Sequence, residues 1–439
     1  MRAELEPRSG LNPTFSEALR TWAKIGCISF GGPAGQIAMM HKILVEEKKW
    51  IDEKSYLSAL NFCMLLPGPE AMQLATYVGW RLHGLKGGLA AGLLFVIPGA
   101  LLMLALALGY ATFGKLPLAE ALFVGVKAAV LAIVVEALLR VAKRALKGRT
   151  DWLIAAAAFV AMFFFAVPFP VIVIAAALFG YLRLGNADAA ALAGPRPAPV
   201  PHSQTIRTTA VWLAIWILPL LAVAAIFGTD HVLAKLAWFF SKLAVVTFGG
   251  AYAVLAYMAQ DVVQHYGWLA PGEMLDALGL AETTPGPLIL VTEFVSTLAA
   301  WRHGGGSPML MGILGAVVSL WATFAPCFLW IFAGAPYVER LNAEPHLKSA
   351  LAAVTAAVVG VILNLTVWFA LHVLFSRVGD AAMGPLRLHV PDIASIQGAA
   401  AALAALAFVL LFVLHRGIVT TLAVCGFLSV ALTSLDVGL

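Results

Sequence analysis

Two stretches of the chain, FGGPAGQIAMMH at residues 30–41 and TFGGAYAVLAYM at residues 247–258, share a Phe-Gly-Gly motif at a numbering offset of 218. The same offset, without a gap, places LLPGPEAMQ at residues 65–73 on TTPGPLILV at residues 283–291. Composition bias alone would not align two glycine and proline motifs at one spacing. The sequence therefore predicts an internal repeat of two halves, each with the same pair of motifs.

The repeat extends beyond these motifs. Trp50 aligns with Trp268, and further along the chain the offset becomes 228, which brings Pro98 onto Pro326. The ten additional residues fall around the loop-like sequence RHGGG at 302–306. We predict a first half over residues 1–184, a polar proline-rich linker over 185–208, an additional helix over 209–228 and a second half over 229–439.

The composition indicates that a lipid bilayer surrounds nearly the whole chain. Hydrophobic residues make up 62% of the sequence and charged residues 12%, whereas soluble domains are roughly half apolar and about a quarter charged. Several apolar runs reach the length of about 20 residues that a membrane-spanning helix needs. We predict an all-α polytopic membrane protein with about 11 to 13 membrane segments and no removable signal peptide, so that the N-terminus stays in the cytoplasm.

Parity and charge both indicate that the halves have opposite orientations. If each half has six membrane elements and one additional helix lies between the halves, homologous elements are seven apart along the chain. Successive elements alternate in direction, so an odd separation inverts the second copy. The separation stays odd if the elements that carry the motifs are re-entrant. The basic cluster at residues 140–149 independently marks its loop as cytoplasmic. We therefore predict an inverted-topology repeat.

The motifs themselves predict broken or re-entrant helices. Proline removes an amide donor and glycine weakens a helix, and irregular backbone at membrane depth is tolerated only where protein or a watery cavity covers it. Transporters with inverted repeats place paired broken helices at the substrate site, where amides at a half-helix N-terminus favour an anion. The predicted substrate-binding residues are Gly31, Gly32, Pro33, Gln36, Gly68, Pro69, Gln73, Gly249, Gly250, Thr283, Thr284, Gly286 and Pro287.

Charged residues beside the motifs form a second group of candidates. Glu70 and Glu282 flank the two Pro-Gly-Pro motifs but are not equivalent in the repeat, which predicts a site with asymmetric chemistry. Each carboxyl either takes part in proton coupling or forms an interhelical hydrogen bond. Lys24 and Lys242 do coincide in the repeat; they either extend to the membrane interface or add positive potential near an anion.

Lys127 and Glu136 lie nine residues apart on one predicted helix. That spacing is too long for a pair within the helix, so we expect each to have a partner on another helix. Arg81 is the one arginine close to a motif along the sequence. The four cysteines are too far apart for a zinc site, and no phosphate-binding or hydrolase motif is present. We predict neither a metal nor a cofactor, and no nucleic-acid partner.

The combination of FGGPAGQIAMMH, LLPGPEAMQLATYVG, TFGGAYAVLAYM and ETTPGPLILV resembles the chromate ion transporter family in its long, two-domain form. The likeness spans roughly residues 22–374 and implies an inner-membrane protein that exports chromate and confers resistance to it. One departure concerns the second half, where many members resemble A-x-x-V-P-G-P. This chain has Glu282 and two threonines in that run, which leaves the preferred oxyanion open.

Export of a dianion from an electrically negative cell interior releases about 4.6 kcal/mol per 100 mV, from about 2.3 kcal/mol per charge. The resemblance and this arithmetic favour a secondary transporter for chromate that is driven by voltage, with proton coupling as an option. Three alternatives stay open: an exporter or exchanger of sulfate, another oxyanion or an organic anion; a membrane enzyme acting on a lipid phosphate; and a channel. A homodimeric assembly is also left open.

Overall fold

The first half of the chain folds into seven helices. In the computed structural model the described residues are 13–30, 32–114, 116–184, 202–248, 251–384 and 386–434. Helix α2 continues into a π-helical turn at Lys42–Glu47. The helices of the first half are α1 (Phe15–Ile28), α2 (Gly32–His41), α3 (Glu53–Leu65), α4 (Glu70–Phe113), α5 (Pro117–Ala145), α6 (Arg149–Phe165) and α7 (Phe169–Arg183).

The second half follows helix α8 (His202–Phe227) and repeats this order. Helix α10 also continues into a π-helical turn, at Asp261–His265. A β-hairpin of strands β1 (Val378–Met383) and β2 (Leu386–Pro391) interrupts the helices near the end. The helices of the second half are α9 (Val232–Val246), α10 (Ala251–Gln260), α11 (Pro271–Thr283), α12 (Val291–His303), α13 (Pro308–Gly334), α14 (Val338–Ala343), α15 (Pro345–Leu374), α16 (Gly398–Phe408) and α17 (Ile418–Ser434).

Five of the described helices, α4, α5, α8, α13 and α15, are long and apolar enough to cross a membrane. Helices α7, α16 and α17 are shorter and also apolar. These lengths and compositions confirm the predicted all-α polytopic fold. Helix α8 begins seven residues before the additional helix predicted at 209, and residues 185–201 of the predicted linker lie outside the described residues.

The repeat read from the sequence is present in the helices. The offset of 218 relates the bounds of α3 to those of α11 at both ends, and the offset of 228 relates the start of α5 to that of α15. The turns after the π-helical segments also match: Lys49 and Gly267, which are equivalent in the repeat, have positive φ angles of 52° and 61°. The two halves share few identical residues, yet these parts of their backbones have the same conformation.

Hydrogen bonds and an ion pair join the ends of the broken elements in the first half. Glu17, at the start of α1, binds the Lys48 ammonium at 2.9 Å just after α2 and its π-helical turn. Helix α4 is sharply kinked at His83 and Gly84, and the His83 ring binds the carbonyl oxygen of Pro13 at 3.0 Å. The pair α1–α2 and the pair formed by α3 and the first part of α4 therefore start and end on one face, as re-entrant elements.

The second half closes its broken elements in the same way. His231, before α9, binds the carbonyl oxygen of Gly304 after α12 at 2.9 Å. Arg302, at the end of α12, donates two hydrogen bonds of 2.8 and 2.6 Å to Glu273 at the start of α11. His231 is the repeat counterpart of Pro13, so this closure reproduces the one in the first half.

Helix directions establish the inversion. Gly88 of α4 packs against Phe332 of α13, and Gly92 packs against Phe328. The residue order is reversed between these homologous helices, so they run antiparallel, as an inverted repeat requires. We call the side that carries the basic C-terminal end of α5 the basic face, and the side that carries the β-hairpin the opposite face.

The two halves are also interlocked at their ends. Helix α5 of the first half packs against α16 and α17 of the second, while α15 of the second half packs against α6 and α7 of the first. Glycines allow the close approach: Gly125 contacts the backbone of Cys425, and Gly180 contacts the backbone of Ser349. Neither half can therefore form its complete helix packing without the other.

Candidate functional site

Two reciprocal hydrogen bonds connect the breaks of the two halves. The amide of Gly68 donates to the carbonyl of Thr247 at 2.9 Å, and the amide of Gly286 donates to the carbonyl of Ser29 at 2.9 Å. Ser29 and Thr247 are equivalent at the offset of 218, as are Gly68 and Gly286. Each Pro-Gly-Pro motif is thus bound to the end of the first broken helix in the other half.

Packing repeats this crossed arrangement. Gly68 lies against Cys327 of α13, and Gly286 lies close to Gly99 of α4. Gly99 and Cys327 are equivalent at the offset of 228. The φ angles of Gly68 and Gly286 are 121° and 90°, which residues with a Cβ atom rarely adopt. The glycines are therefore required by backbone conformation at both breaks.

The segments after the two breaks leave helix N-terminal amides available. Helix α4 begins at Glu70 with Pro69 as its N-cap, and no side chain caps it. The short 3-10 turn at Leu288–Leu290 begins after Pro287, again without a side-chain cap. Uncapped amides at a helix N-terminus favour an anion. The amides of Gly68 and Gly286 themselves are used within the protein.

Two glutamines reinforce the breaks from the first half. Gln36 is 1% exposed, and its amide donates to the carbonyls of Gly286 at 2.6 Å and Ser29 at 3.2 Å. The amide of Gln73 donates to the carbonyl of Pro67 at 2.7 Å. The amide oxygen of each glutamine is buried without a hydrogen-bond partner among the described residues. Both side chains therefore support the backbone at the breaks.

An acidic group lies at the second break. Glu282 is 5% exposed and accepts a hydrogen bond of 2.8 Å from the hydroxyl of Tyr252 on α10. Tyr252 in turn lies beside Gly32, 3.9 Å from where a Cβ of that residue would stand. Arg140 and Glu136 of α5 are close enough to Glu282 to act on its charge. The second break thus combines groups from both halves.

Arg144 lies one turn after Arg140 on α5, at the first break. Its guanidinium contacts the sulfur of Met64 at 3.8 Å, and its charge acts on Glu70. Met64 is the repeat counterpart of Glu282. Helix α5 is distant in sequence from both motifs, yet it brings Arg144 to the first break and places Arg140 where its charge acts on Glu282 at the second. Arg81, the arginine closest to a motif along the sequence, instead acts on Asp52 before α3.

The two predicted charged candidates on α5, Lys127 and Glu136, have different kinds of partner. Lys127 binds Asp276 of α11 at 3.4 Å, and Tyr110 of α4 donates a hydrogen bond of 2.7 Å to the same carboxylate. The expected partner on another helix is therefore present for Lys127. The expectation was wrong for Glu136, because this carboxylate pairs with Arg140 one turn along its own helix.

Other predicted residues are engaged or lie at the margin. The hydroxyls of Thr283 and Thr284 donate to carbonyls of their own helix, at 2.8 and 3.2 Å, so anion binding requires them to rotate. Lys24 is exposed on α1, and Lys242 lies 3.9 Å from Asp261. Pro33 follows Gly32 in the first turn of α2. Gly31, Gly249 and Gly250 lie outside the described residues.

Sequence reasoning did not include four residues that the structure brings into contact with predicted ones: Tyr252, Asp276, Arg140 and Arg144. The offset of 218 carries a signal for the first two, because it pairs Tyr252 with Ala34 and Asp276 with Ser58. An ionisable side chain that appears in only one copy of a buried repeat is a functional candidate. Within the described part of the chain no group of three or more histidines, cysteines or acids could hold a metal ion.

Inverted halves, two pairs of re-entrant helices in each half and crossed breaks define a membrane transporter of the inverted-repeat class. The sequence profile of the chromate transporter family matches residues 16–181 and 234–430. The chain belongs to this family.

Several curated relatives agree with this assignment. A chromate transport protein of Pseudomonas aeruginosa is 33% identical over 374 residues, which are 84% of each chain. A chromate transport protein of Cupriavidus metallidurans is 29% identical over 369 residues, 80% of this chain and 81% of the relative. A probable chromate transport protein of Synechococcus elongatus is 29% identical over 359 residues, 81% of this chain and 85% of the relative. No solved structure matches the chain.

Proposed function

We propose that the chain exports chromate from the cytoplasm across the inner membrane, with its N-terminus and basic face in the cytoplasm. The observation that carries this proposal is the position of Arg140 and Arg144. Arg144 contacts Met64 at the first break at 3.8 Å, near the start of α4, which has no side-chain cap; Arg140, which is paired with Glu136, lies one turn earlier and acts on the charge of Glu282. Arginine is well suited to tetrahedral oxyanions because its planar fork donates two parallel hydrogen bonds.

Charge distribution supports a route from the basic face. Arg140 is about half exposed and Arg144 is exposed, so both can attract a dianion before it reaches the breaks. Backbone amides at the start of α4 and the hydroxyls of Thr283 and Thr284 then supply hydrogen bonds as water is lost, while Gln36 and Gln73 hold the backbone of the breaks in place. Lys24 and Lys242 add positive potential. Release to the opposite face is favoured by about 4.6 kcal/mol per 100 mV for a dianion.

Secondary active transport follows from the same energetics, since the membrane potential alone can drive export of a dianion. Glu70 and Glu282 stand too close to the breaks to stay ionised beside a dianion, so we assign them a role in proton coupling. A transporter is favoured over a lipid-phosphate enzyme because relatives that align with most of this chain are named as transport proteins. A flux that saturates at low substrate concentration would favour a transporter over a channel.

The direct test is the flux of radiolabelled chromate into everted membrane vesicles, with and without an imposed membrane potential. We expect saturable uptake that increases when the lumen is positive. Absence of flux under both conditions would contradict the substrate assignment. In the same vesicles the Glu282→Gln variant should change the pH dependence of uptake; unchanged flux and unchanged pH dependence would exclude Glu282 from coupling.

A second candidate substrate is sulfate or a related oxyanion. The observation that favours it is Glu282, an acid beside the second break that binds Tyr252 and that leaves the preferred oxyanion open. Chromate and sulfate are tetrahedral dianions of similar size, so the same donors fit both. Competition of unlabelled sulfate and molybdate against labelled chromate separates these substrates. Stronger inhibition by sulfate than by unlabelled chromate would reverse the assignment.

A further inference from the structure

One buried acid in the second half takes no part in the proposed route. Glu293, on helix α12, is 1% exposed. One of its carboxylate oxygens is buried without a hydrogen-bond partner, and no ion pair of Glu293 exists within the described part of the chain. Its counterpart in the first half is Ala75. This carboxyl is therefore a feature of one copy of the repeat only.

Glu293 belongs to a buried polar strip between α12 and α13. Glu293, Ser296 and Thr297 lie on one face of α12, at positions i, i+3 and i+4. Gly315 and Gly312 of α13 pack on that face, against Ser296 and Thr297. The hydroxyl of Thr297 donates to the backbone carbonyl of Glu293 at 2.8 Å. The strip is thus closed to solvent and offers the carboxyl no positive charge.

Charged groups near α12 have other partners or lie elsewhere. Helix α13 carries no Asp, Glu, Lys, Arg or His. On α11, Glu273 binds Arg302, Asp276 binds Lys127 and Glu282 binds Tyr252. The remaining charged and titratable groups on the elements that pack against α12 are Glu70, Tyr77, Arg81, His83, Lys86 and Tyr110 on α4, Lys235 and Lys242 on α9 and Cys327 on α13.

A carboxylate in this position would be unpaired inside the protein, which costs several kcal/mol. A neutral carboxyl avoids that cost. We propose that Glu293 is a protonation site of the transport cycle: it carries a proton in the state described here and exchanges it with water when the transporter opens to the opposite face. The proton passes between the carboxyl and solvent on that face, and no other reactant takes part.

The location of Glu293 explains that direction of exchange. It lies six residues after Pro287, on the segment that runs from the second break to the Arg302–Glu273 pair at the opposite face. Opening toward that face must separate elements along this segment, because α11 and α12 form one re-entrant pair. The inference rests on the proposed transport function, since exchange requires a cycle between two states.

Infrared absorption tests the protonation without any transport. Purified wild-type protein at neutral pH should show the C=O stretching band of a buried protonated carboxyl that exchanges slowly in D2O. The difference spectrum between wild type and the Glu293→Gln variant should show the loss of one such band, which separates Glu293 from Glu70 and Glu282, and Glu293→Asp should keep the band at a shifted position. Glu120→Gln is the matched control, because Glu120 is an exposed acid near the opposite face and its loss should leave the band unchanged. A Glu293→Gln spectrum with the same carboxyl bands as wild type would overturn the proposal.

Chromate flux tests the exchange. In everted vesicles the opposite face is the lumen, so the initial rate in wild type should depend on lumenal pH, by up to about tenfold per unit for one titrating group. Glu293→Gln should reduce this dependence to less than about twofold over the same range, while Glu120→Gln retains it. Full pH dependence in Glu293→Gln, or flux that requires sodium instead, would contradict the proposal.

The two assays distinguish failure of the inference from failure of the proposed function. If wild-type vesicles show no chromate flux, the substrate assignment fails, and the infrared band still decides whether Glu293 holds a proton. If flux is present and the band is absent from wild type, the inference alone fails. Glu293→Asp supplies a folded variant with an acid if Glu293→Gln does not accumulate in the membrane.

Discussion

The two halves have the same backbone and different chemistry. Both carry re-entrant pairs, left-handed glycines at the breaks and one amide bonded to the other half. At the matched positions, however, the first half has Gln36 and Gln73 where the second has valines, and the second half has Glu282 and Glu293 where the first has Met64 and Ala75. Backbone geometry is therefore shared by the copies, while amides and acids are divided between them.

The crossed contacts explain this difference. The amide of each Pro-Gly-Pro glycine satisfies a carbonyl of the other half, and an unsatisfied group at membrane depth costs several kcal/mol. A change in either backbone would therefore disrupt both halves. Side chains beside the breaks have no such reciprocal partner, so each copy can acquire its own polar groups. The comparison predicts that reciprocal contacts tolerate least change and that one-sided polar contacts tolerate more.

The largest effect is expected from exchange of two equivalent residues, Gly99 and Cys327. A Cβ on Gly99 would collide with the backbone carbonyl of Pro285, so Gly99→Cys should lower the free energy of unfolding by more than about 3 kcal/mol and abolish transport. The reverse change, Cys327→Gly, only opens space beside Gly68 and should cost about 1 to 2 kcal/mol. Thermal unfolding in detergent measures both. Equal losses would show that the two crossed contacts are alike.

A smaller effect is expected at the polar cluster around Asp276, which joins this residue of the second half to Lys127 and Tyr110 of the first. Asp276→Ala leaves Lys127 without its carboxylate and Tyr110 without its acceptor, which should destabilise the protein by about 3 kcal/mol. The matched change in the first half, Ser58→Ala, removes one hydroxyl that accepts a hydrogen bond from Asn342 and should cost about 1 kcal/mol. A more harmful Ser58→Ala would contradict the division of chemistry between the halves.

The smallest effect concerns two buried glutamines of the first half. Gln36→Met and Gln73→Met each remove an amide donor from buried carbonyls, and each should cost about 1 to 2 kcal/mol. Gln36 binds across the halves and Gln73 binds within its own. Only Gln36→Met should therefore also slow chromate flux in vesicles beyond the loss of folded protein. Equal flux in the two variants would contradict a role in transport for the contact of Gln36 with the other half.

Much of the fold follows from the sequence because the two copies of a repeat can be aligned by their local motifs, and the alignment relates elements that are far apart along the chain. Proline and glycine at residues 67–69 and 285–287 fix the breaks, and parity fixes the inversion. The chemistry between helices was harder to predict, because it depends on which faces meet. Arg144 is far from Pro69 along the chain and yet acts on Glu70, and no periodicity distinguishes Glu136, which pairs within its helix, from Lys127, which pairs with another.

The central claim, that homologous re-entrant pairs open to opposite faces, can be measured directly. Glu47 and His265 are equivalent in the repeat and both are exposed, and Cys27 is the exposed native cysteine among the four. In a Cys27→Ser background, Glu47→Cys and His265→Cys are labelled with a membrane-impermeant maleimide in everted and right-side-out vesicles. The inverted repeat predicts that each position reacts in only one kind of vesicle, and that the two differ. Labelling of both from the same face would contradict it.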